Sequence, residues 1–313
     1  MLQQTTVATV IPYYQRWIKT FPTIEDVAKA PLQKILKSWQ GLGYYGRAKN
    51  IGASAKIICN LYAAKIPNTP EVLSALPGFG PYTTGAVLSI AFDRRLPIID
   101  ANVRRVVMRV LAIKGHADTE KDEAIYSFLD KVLPQKEVGT FNQALMELGA
   151  LVCRSQEPLC CRCPVERHCL ARKKGLQDVI PMRRQKNIEK IEAVVGIIED
   201  RRRFFIQQRT SPGLMAGLWE FPGGKIQKGE LPKDALAREL KEELGVTLVS
   251  ARPFLMVKHA YTKFQVKLHV FLVEVKPMPL VDKTHRLIRI ADFKKYPMPS
   301  ATVKITEHLK DLT

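Results

Sequence analysis

Two domains of different class, an all-α domain followed by an α/β domain, are expected from three features of this sequence. Residues 1 to about 170 carry short apolar stretches of helical period, punctuated by Pro and Gly, and no convincing alternating strand. From about residue 191 β-rich runs and strict alternation take over. Between them lies the basic, polar segment RKKGLQDVIPMRRQKNIEK, which reads as a linker. The expected boundaries are 1–172 for the first domain, 173–190 for the linker and 191–313 for the second. A chain of 313 residues with 46% hydrophobic residues can build two ordinary cores, and no internal repeat is visible.

The elements follow in order. Leu2, Val7, Val10, Ile11 and Tyr14 fall near a helical repeat, so a helix is expected from the first residues, without a Ser or Asp cap. Further helical stretches lie around 24–38, 47–64, 70–76, 82–92, 102–112, 120–132 and 139–152. Thr69-Pro70-Glu71 is a helix start, with a cap, a Pro in the first turn and an acid near the positive end. That helix stops at Leu76-Pro77-Gly78-Phe79-Gly80, and another begins at Pro81-Tyr82-Thr83. Two helices joined by P-G-x-G aim backbone N–H groups at a phosphate without reading a base; the alternative is a plain tight turn that needs Gly. Asp100 follows an apolar run and precedes a helix, as an N-cap or as a carboxylate at the mouth of a cleft. In the second domain Ala193–Ile198 and Phe204–Gln208 flank a charged turn, a hairpin signature, and Gln265–Val273 is a strand. Leu236, Leu240 and Leu244 form the buried face of a helix that Gly245 ends. On the same helix Glu239, Glu242 and Glu243, at i, i+3 and i+4, share one face and can bind Mg²⁺; the alternative is an acidic solvated helix.

Lys plus Arg number 49 against 30 acidic residues, a net of +19. The excess favours an anionic partner, nucleic acid before membrane surface, although each cluster alone reads equally as solvated basic surface. The first fifteen residues hold no Lys or Arg, so no targeting leader is expected. The longest uncharged run, Val72–Phe92, is broken by Pro77-Gly78-Phe79-Gly80-Pro81 and is rejected as a membrane helix. The expectation is a cytoplasmic monomer. Cys59 stands alone and reads as a core thiol; Cys153, Cys160, Cys161, Cys163 and Cys169 crowd together. The spacing Cys153-x6-Cys160-x2-Cys163-x5-Cys169 suits four thiolates on zinc or on a [4Fe–4S] cluster, with Cys161 spare.

This cysteine pattern resembles the iron–sulfur loop of the endonuclease III family of DNA repair glycosylases. With L-P-G-x-G and the spaced Asp100, residues 1 to about 170 resemble the helix-hairpin-helix glycosylases. Bifunctional members carry a Lys two residues after the second turn glycine; Tyr82 stands there, which implies a monofunctional enzyme. Met1-Leu2-Gln3-Gln4-Thr5 and Gly41-Leu42-Gly43-Tyr44-Tyr45 narrow the resemblance to the adenine DNA glycosylases of the MutY type, which remove adenine mispaired with 8-oxoguanine. The resemblance implies that Asp100 stabilises positive charge on the deoxyribose, flanked by Tyr82 and Asn102. It implies that Gln3, Gln4 and Tyr44 wedge into the duplex beside the oxidised guanine, that Leu2 and Gln143 line the adenine pocket, and that the Gly78–Gly80 turn holds DNA. In this family the motif runs S-E-x-M-L-Q-Q-T and the Glu is the general acid. Met of that motif is residue 1 here, so the expectation is a chain truncated before its proton donor and impaired in excision. Neither Glu25, Asp26 nor Glu147 lies at a motif position to replace it.

Gly224-x5-Glu230-x7-Arg238-Glu239-Leu240-x-Glu242-Glu243-x-Gly245 fits the Nudix box, and Leu218-Trp219-Glu220-Phe221-Pro222-Gly223-Gly224 resembles MutT-like nucleotide hydrolases. Arg209 matches a phosphate-contacting Arg of that group, while Ala301 stands where those hydrolases read the base with Asn. Adenine glycosylases usually carry a decayed box in a domain that recognises 8-oxoguanine; their Phe-Ser-His loop is Tyr261-Thr262-Lys263 here. The expected fold is therefore a helix-hairpin-helix glycosylase domain with an iron–sulfur loop and an α/β Nudix domain. The expected cofactors are a [4Fe–4S] cluster and Mg²⁺, and the expected partners are duplex DNA with A:8-oxoguanine or A:G mispairs and nucleoside triphosphates. Three functions stand: adenine glycosylase, nucleotide diphosphatase with a DNA-binding helical domain, or lesion-binding module without catalysis.

Overall fold

The structure, a computed structural model, describes residues 1–3, 5–183, 188–210, 213, 215–261 and 264–310. Gln4 and Thr262, both expected in DNA contacts, lie outside the described residues. The chain forms two compact units, Met1–Cys59 with Lys186–Thr313, and Asn60–Gln185.

The first unit opens with α1 (Val7–Thr20), α2 (Ile24–Lys29), α3 (Leu32–Trp39) and α4 (Tyr45–Leu61). The helix expected from the first residues begins only at Val7, after an extended Thr6. The stretch expected around 24–38 is divided at Ala30-Pro31, because Pro lacks the N–H and its ring clashes with the preceding turn. Thr23 and Asp26 cap α2 reciprocally. Trp17, Phe21, Leu36 and Trp39 form a buried cluster that Leu218 completes from far along the chain.

The second unit contains α5 (Pro70–Ser74), α6 (Pro81–Phe92), α7 (Ala101–Val110), α8 (Asp122–Val132), α9 (Val138–Glu147) and α10 (Leu170–Lys173). Val103, Val107, Met108, Ile125, Leu129 and Val138 make its core. The expected stretch 139–152 is α-helical only to Glu147 and continues as a π-helical turn over Leu148–Val152. Such turns cluster at functional sites, and this one leads into Cys153.

The remainder of the first unit is a mixed sheet. Its strands are β1 (Glu189–Asp200), β2 (Arg203–Gln208) and β3 (Trp219–Glu220), then, after α11 (Pro232–Leu244), β4 (Thr247–Tyr261), β5 (Phe264–Lys276) and β6 (His285–Arg289); α12 (Ser300–Lys310) closes it. The order is β3-β2-β1-β5-β4, with β6 also on β2, and β1–β5 is the parallel pair. The expected hairpin is present, with Glu199 opposite Phe204. Period-two alternation divides the core: Val194 and Ile198 pack with Leu236 and Leu240 of α11, whereas Ile197 packs with Ile305 and Leu309 of α12. Among the described residues no helix is long and apolar enough to cross a membrane.

Candidate functional site

Asp100 is the N-cap of α7. Its Oδ1 accepts the Val103 N–H (2.7 Å) and its Oδ2 accepts Asn102 Nδ2 (3.1 Å). A carboxylate here is favoured by the positive end of the helix, so capping and catalysis use the same placement. Tyr82, in the first turn of α6, has its hydroxyl pKa raised by burial and by the nearby Asp100 charge. Three of the expected residues, Asp100, Asn102 and Tyr82, are therefore brought together. One residue that the sequence did not flag joins them. Arg105, one turn beyond Asn102, donates to Asn102 Oδ1 (2.9 Å), to the Gly149 carbonyl (2.6 Å) and to the Cys153 carbonyl (2.8 Å).

The turn before α6 separates its two glycines. Gly78 has φ +83°, which only Gly adopts freely. Gly80 is extended, and a Cβ built on it would meet open space, so nothing inside the protein demands Gly there. Gln143 is exposed on α9, with Nε2 bonded to its own helix at the Gly139 carbonyl (3.1 Å).

Cys153, Cys160, Cys163 and Cys169 line a single cavity with Arg109 and Arg172, and Cys161 is exposed. Arg109 donates to Cys153 Sγ (3.3 Å) and the Arg154 carbonyl (2.7 Å), and its own carbonyl accepts Cys169 Sγ (3.4 Å). Burial pushes the Cys160 and Cys163 thiols up; Arg172 opposes this at Cys160. Among the described residues no three His, Cys, Asp or Glu side chains are gathered as a single bound ion requires.

In the first unit Tyr44 ends the Gly41–Gly43 turn with φ +49° and 42% exposure. Leu2 is also exposed. Arg47 donates from Nη1 to the Met1 carbonyl (3.3 Å) and to the Gln3 carbonyl. From the other side Tyr45, buried, accepts the Gly41 N–H (3.3 Å) and donates to the Met298 carbonyl (3.5 Å). Lys37 donates to the Tyr296 carbonyl (2.9 Å), and Gln33 joins the Gly217 carbonyl to Trp219 Nε1 (both 3.0 Å).

On α11 Arg238 holds Glu230 (2.8 Å), Glu239 (2.8 Å) and Glu242 (3.2 Å). Glu243 turns its carboxyl inward to Gln207 Nε2 (2.8 Å) and the Gly223 N–H (3.2 Å); burial, with Glu239 beside it, raises its pKa. A Cβ on Gly224 would stand 2.2 Å from Glu239 Cδ, so this position must lack a side chain for the carboxylate to lie there. Arg209 Nη1 meets both oxygens of Glu220 at 2.9 Å. Burial raises the Glu220 pKa, against the Arg209 charge. Tyr261, hydrogen-bonded to the Ala301 backbone, is pushed up to about 12, mainly by burial.

Two family models match the chain: residues 1–134 as an HhH-GPD superfamily base excision DNA repair protein, and residues 193–308 as a NUDIX domain. Adenine DNA glycosylase of Homo sapiens is 34% identical over 294 residues, 78% of this chain and 54% of that protein. The enzyme of Buchnera aphidicola from Schizaphis graminum is 37% identical over 225 residues, covering 71% and 65%. That of Buchnera aphidicola from Acyrthosiphon pisum is 35% identical over 234 residues, covering 74% and 67%.

The chain belongs to the adenine DNA glycosylase family.

It spans between about half and two thirds of the length of the curated relatives named above. Within this adenine DNA glycosylase family member, sequence reading missed Arg47, Arg105 and Glu220. Arg105 had a local signal, its i+3 spacing from Asn102 on the helix that Asp100 caps. Glu220 lay inside the MutT-like Leu218–Gly224 stretch without a role being assigned to it, and Arg47 had no local signal.

Proposed function

We propose that this protein is a monofunctional DNA glycosylase that hydrolyses the N-glycosidic bond of adenine opposite 8-oxoguanine or guanine. The observation that carries this reading is the Asp100 carboxylate, fixed by the α7 N-terminus and Asn102 with Tyr82 alongside. As the bond breaks, its electron pair leaves with the base and positive charge develops on the deoxyribose; Asp100 is a fixed negative charge for that state. Water then adds at the sugar carbon and loses a proton, which balances the proton the departing adenine takes up from the general acid. The +19 charge and the open space before Gly80 support phosphate binding at the α6 N-terminus. Gln3, Gln4 and Tyr44 would enter the duplex beside the oxidised guanine, and Leu2 and Gln143 would line the adenine pocket. Tyr261 and Thr262 would contact the lesion from the Nudix side.

Cys153, Cys160, Cys163 and Cys169 would hold a [4Fe–4S] cluster. Four thiols around one cavity suit a group that offers each its own iron. The cluster would tie the loop after the π-helical turn, and Arg105 and Arg109 would fix its backbone against α7. We further propose that the protein works as a cytoplasmic monomer.

The test is single-turnover excision on duplex containing A opposite 8-oxoguanine. It compares this chain with one preceded by Ser-Glu and one further residue, which adds the Glu that the resemblance implies as proton donor. Excision by the second, lost on Asp100→Asn, supports the reading; tight binding without excision by either overturns it.

A second activity is favoured by the Nudix box. Mg²⁺ is held by one or two carboxylates plus substrate phosphates, and Glu239, Glu242 and Glu243 would offer them with Arg209 nearby. Bound there, Mg²⁺ would polarise a nucleoside triphosphate for hydrolysis. Mg²⁺-dependent cleavage that disappears in Glu242→Gln establishes it; no cleavage leaves the domain as a lesion reader.

A further inference from the structure

We propose that Arg47 is the positioning residue of the lesion wedge: its guanidinium clasps the backbone of residues 1–3 against the Tyr44 turn. The proposal rests on the reading of Tyr44 and Gln3 as that wedge. Tyr44 sits at a positive φ that L side chains rarely adopt, so the surrounding contacts must hold it. One side is held by Trp39 Nε1 on the Gly43 carbonyl (2.9 Å) and by Tyr45 on Gly41 and Met298. Arg47 holds the other side. Its backbone N–H donates to the Tyr44 carbonyl (2.9 Å). Its guanidinium carbon stands 5.3 Å from the Tyr44 ring centroid and 5.4 Å from the Trp39 ring. Nη1 alone serves the Met1 and Gln3 carbonyls.

The other two nitrogens sharpen the argument. Nε and Nη2 are buried and have no hydrogen-bond partner among the described residues. A side chain selected only for stability would satisfy those donors or be replaced by an apolar one. Arg47 gives up that satisfaction and gains a planar cation that faces two rings while gripping two carbonyls. Lys, a point charge on a flexible stem, cannot do both. The consequence is a wedge whose aromatic member and glutamine strand move as one body, preorganised to enter the gap beside the lesion.

The experiment uses the full chain and fluorescence anisotropy at one salt concentration, with a duplex containing A:8-oxoguanine and the same duplex fully paired. The variants are Tyr44→Ala, Arg47→Lys, Arg47→Met and the double Tyr44→Ala/Arg47→Lys. Arg47→Lys is expected to lower the preference for the lesion roughly tenfold, with paired-duplex affinity and melting temperature retained. The double variant is expected to be no worse than Tyr44→Ala, because the two residues act as one unit. Preference kept in both Arg47 variants while Tyr44→Ala loses it overturns the role of Arg47 alone, as does additivity in the double variant. Loss of cooperative melting in both Arg47 variants makes the residue structural and also overturns it. Preference kept in Tyr44→Ala overturns the wedge reading itself.

Discussion

Each unit places carboxylates on a helix and an arginine one turn away, yet the two arginines do opposite things. Arg105 feels the Asp100 charge, but its hydrogen bonds go elsewhere. It grips Asn102 Oδ1 and two carbonyls, and Asn102 passes a single amide hydrogen bond on to the acid. Arg238 sits directly on Glu230, Glu239 and Glu242. The helix ends differ as well. Asp100 stands at the positive end of α7, where the backbone itself favours its charge, whereas Glu242 and Glu243 lie in the last turn of α11, where it disfavours theirs. The first arrangement holds a single carboxylate by a backbone N–H and an amide, which in the proposed reaction would face the cation that forms as the base leaves. The second accumulates like charges that a guanidinium balances.

The largest expected effect tests the first half of this contrast. Asp100→Asn keeps a side-chain oxygen for the Val103 N–H, so the cap survives and lesion binding should persist. In the chain preceded by Ser-Glu and one further residue, removing the charge should slow single-turnover excision by about 10²–10³-fold, the usual loss when one preorganised electrostatic partner is deleted. A variant that excises at near wild-type rate would leave Asp100 as a helix cap only.

Arg105→Ala comes next. It strands Asn102 Oδ1 and the Gly149 and Cys153 carbonyls, and should lower stability by about 1–3 kcal/mol in urea denaturation. Excision should also fall, through kcat rather than KM, because Asn102 is then free to rotate away from Asp100. Unchanged kcat in a destabilised protein would confine Arg105 to packing.

Arg105 also shows where sequence reading stops. The hairpin of β1 and β2, the cap at Asp100, the cysteine spacing and the acidic face of α11 were all legible, because each is written in neighbours within a few residues. Pro31 was visible too, and its helix-breaking chemistry should have divided the stretch 24–38. The start of α1 was not legible: Leu2 fits the apolar repeat, but residues 1–3 are drawn to Arg47, 44 residues from Gln3. Likewise Arg105 meets Cys153 across 48 residues, and Gln33 meets Trp219 across 186. No local period marks such pairs, so only the folded chain shows them.

The second half of the contrast is tested by Arg238→Gln. Without the guanidinium, Glu239 and Glu242 face each other unbalanced, and the variant should bind Mn²⁺, a spectroscopic stand-in for Mg²⁺, roughly fivefold more tightly, because one solvated competing charge is gone. Titration by electron paramagnetic resonance, without nucleotide, measures it. Equal or weaker binding would mean that Arg238 organises the carboxylates for metal rather than competing with it.

The smallest effect concerns Glu220, whose carboxyl lies beside the α11 face without belonging to it. Burial raises its pKa above the ordinary value near 4.5, and Glu243 adds to this, while Arg209 opposes it by charge and hydrogen bond. The folded protein therefore holds a proton here over a range in which the unfolded chain has released it. The resulting stabilisation is full below the ordinary glutamate value and is lost as pH rises through the folded value. Glu220→Gln keeps an acceptor for Arg209 and does not titrate. Its stability relative to the parent should therefore increase as pH rises above the ordinary glutamate value, measured by urea denaturation at each pH. A difference that stays flat would mean that Arg209 neutralises Glu220 fully. The acids around β3 and α11 would then be balanced within the protein, and the contrast between the two units would rest on Glu243 alone.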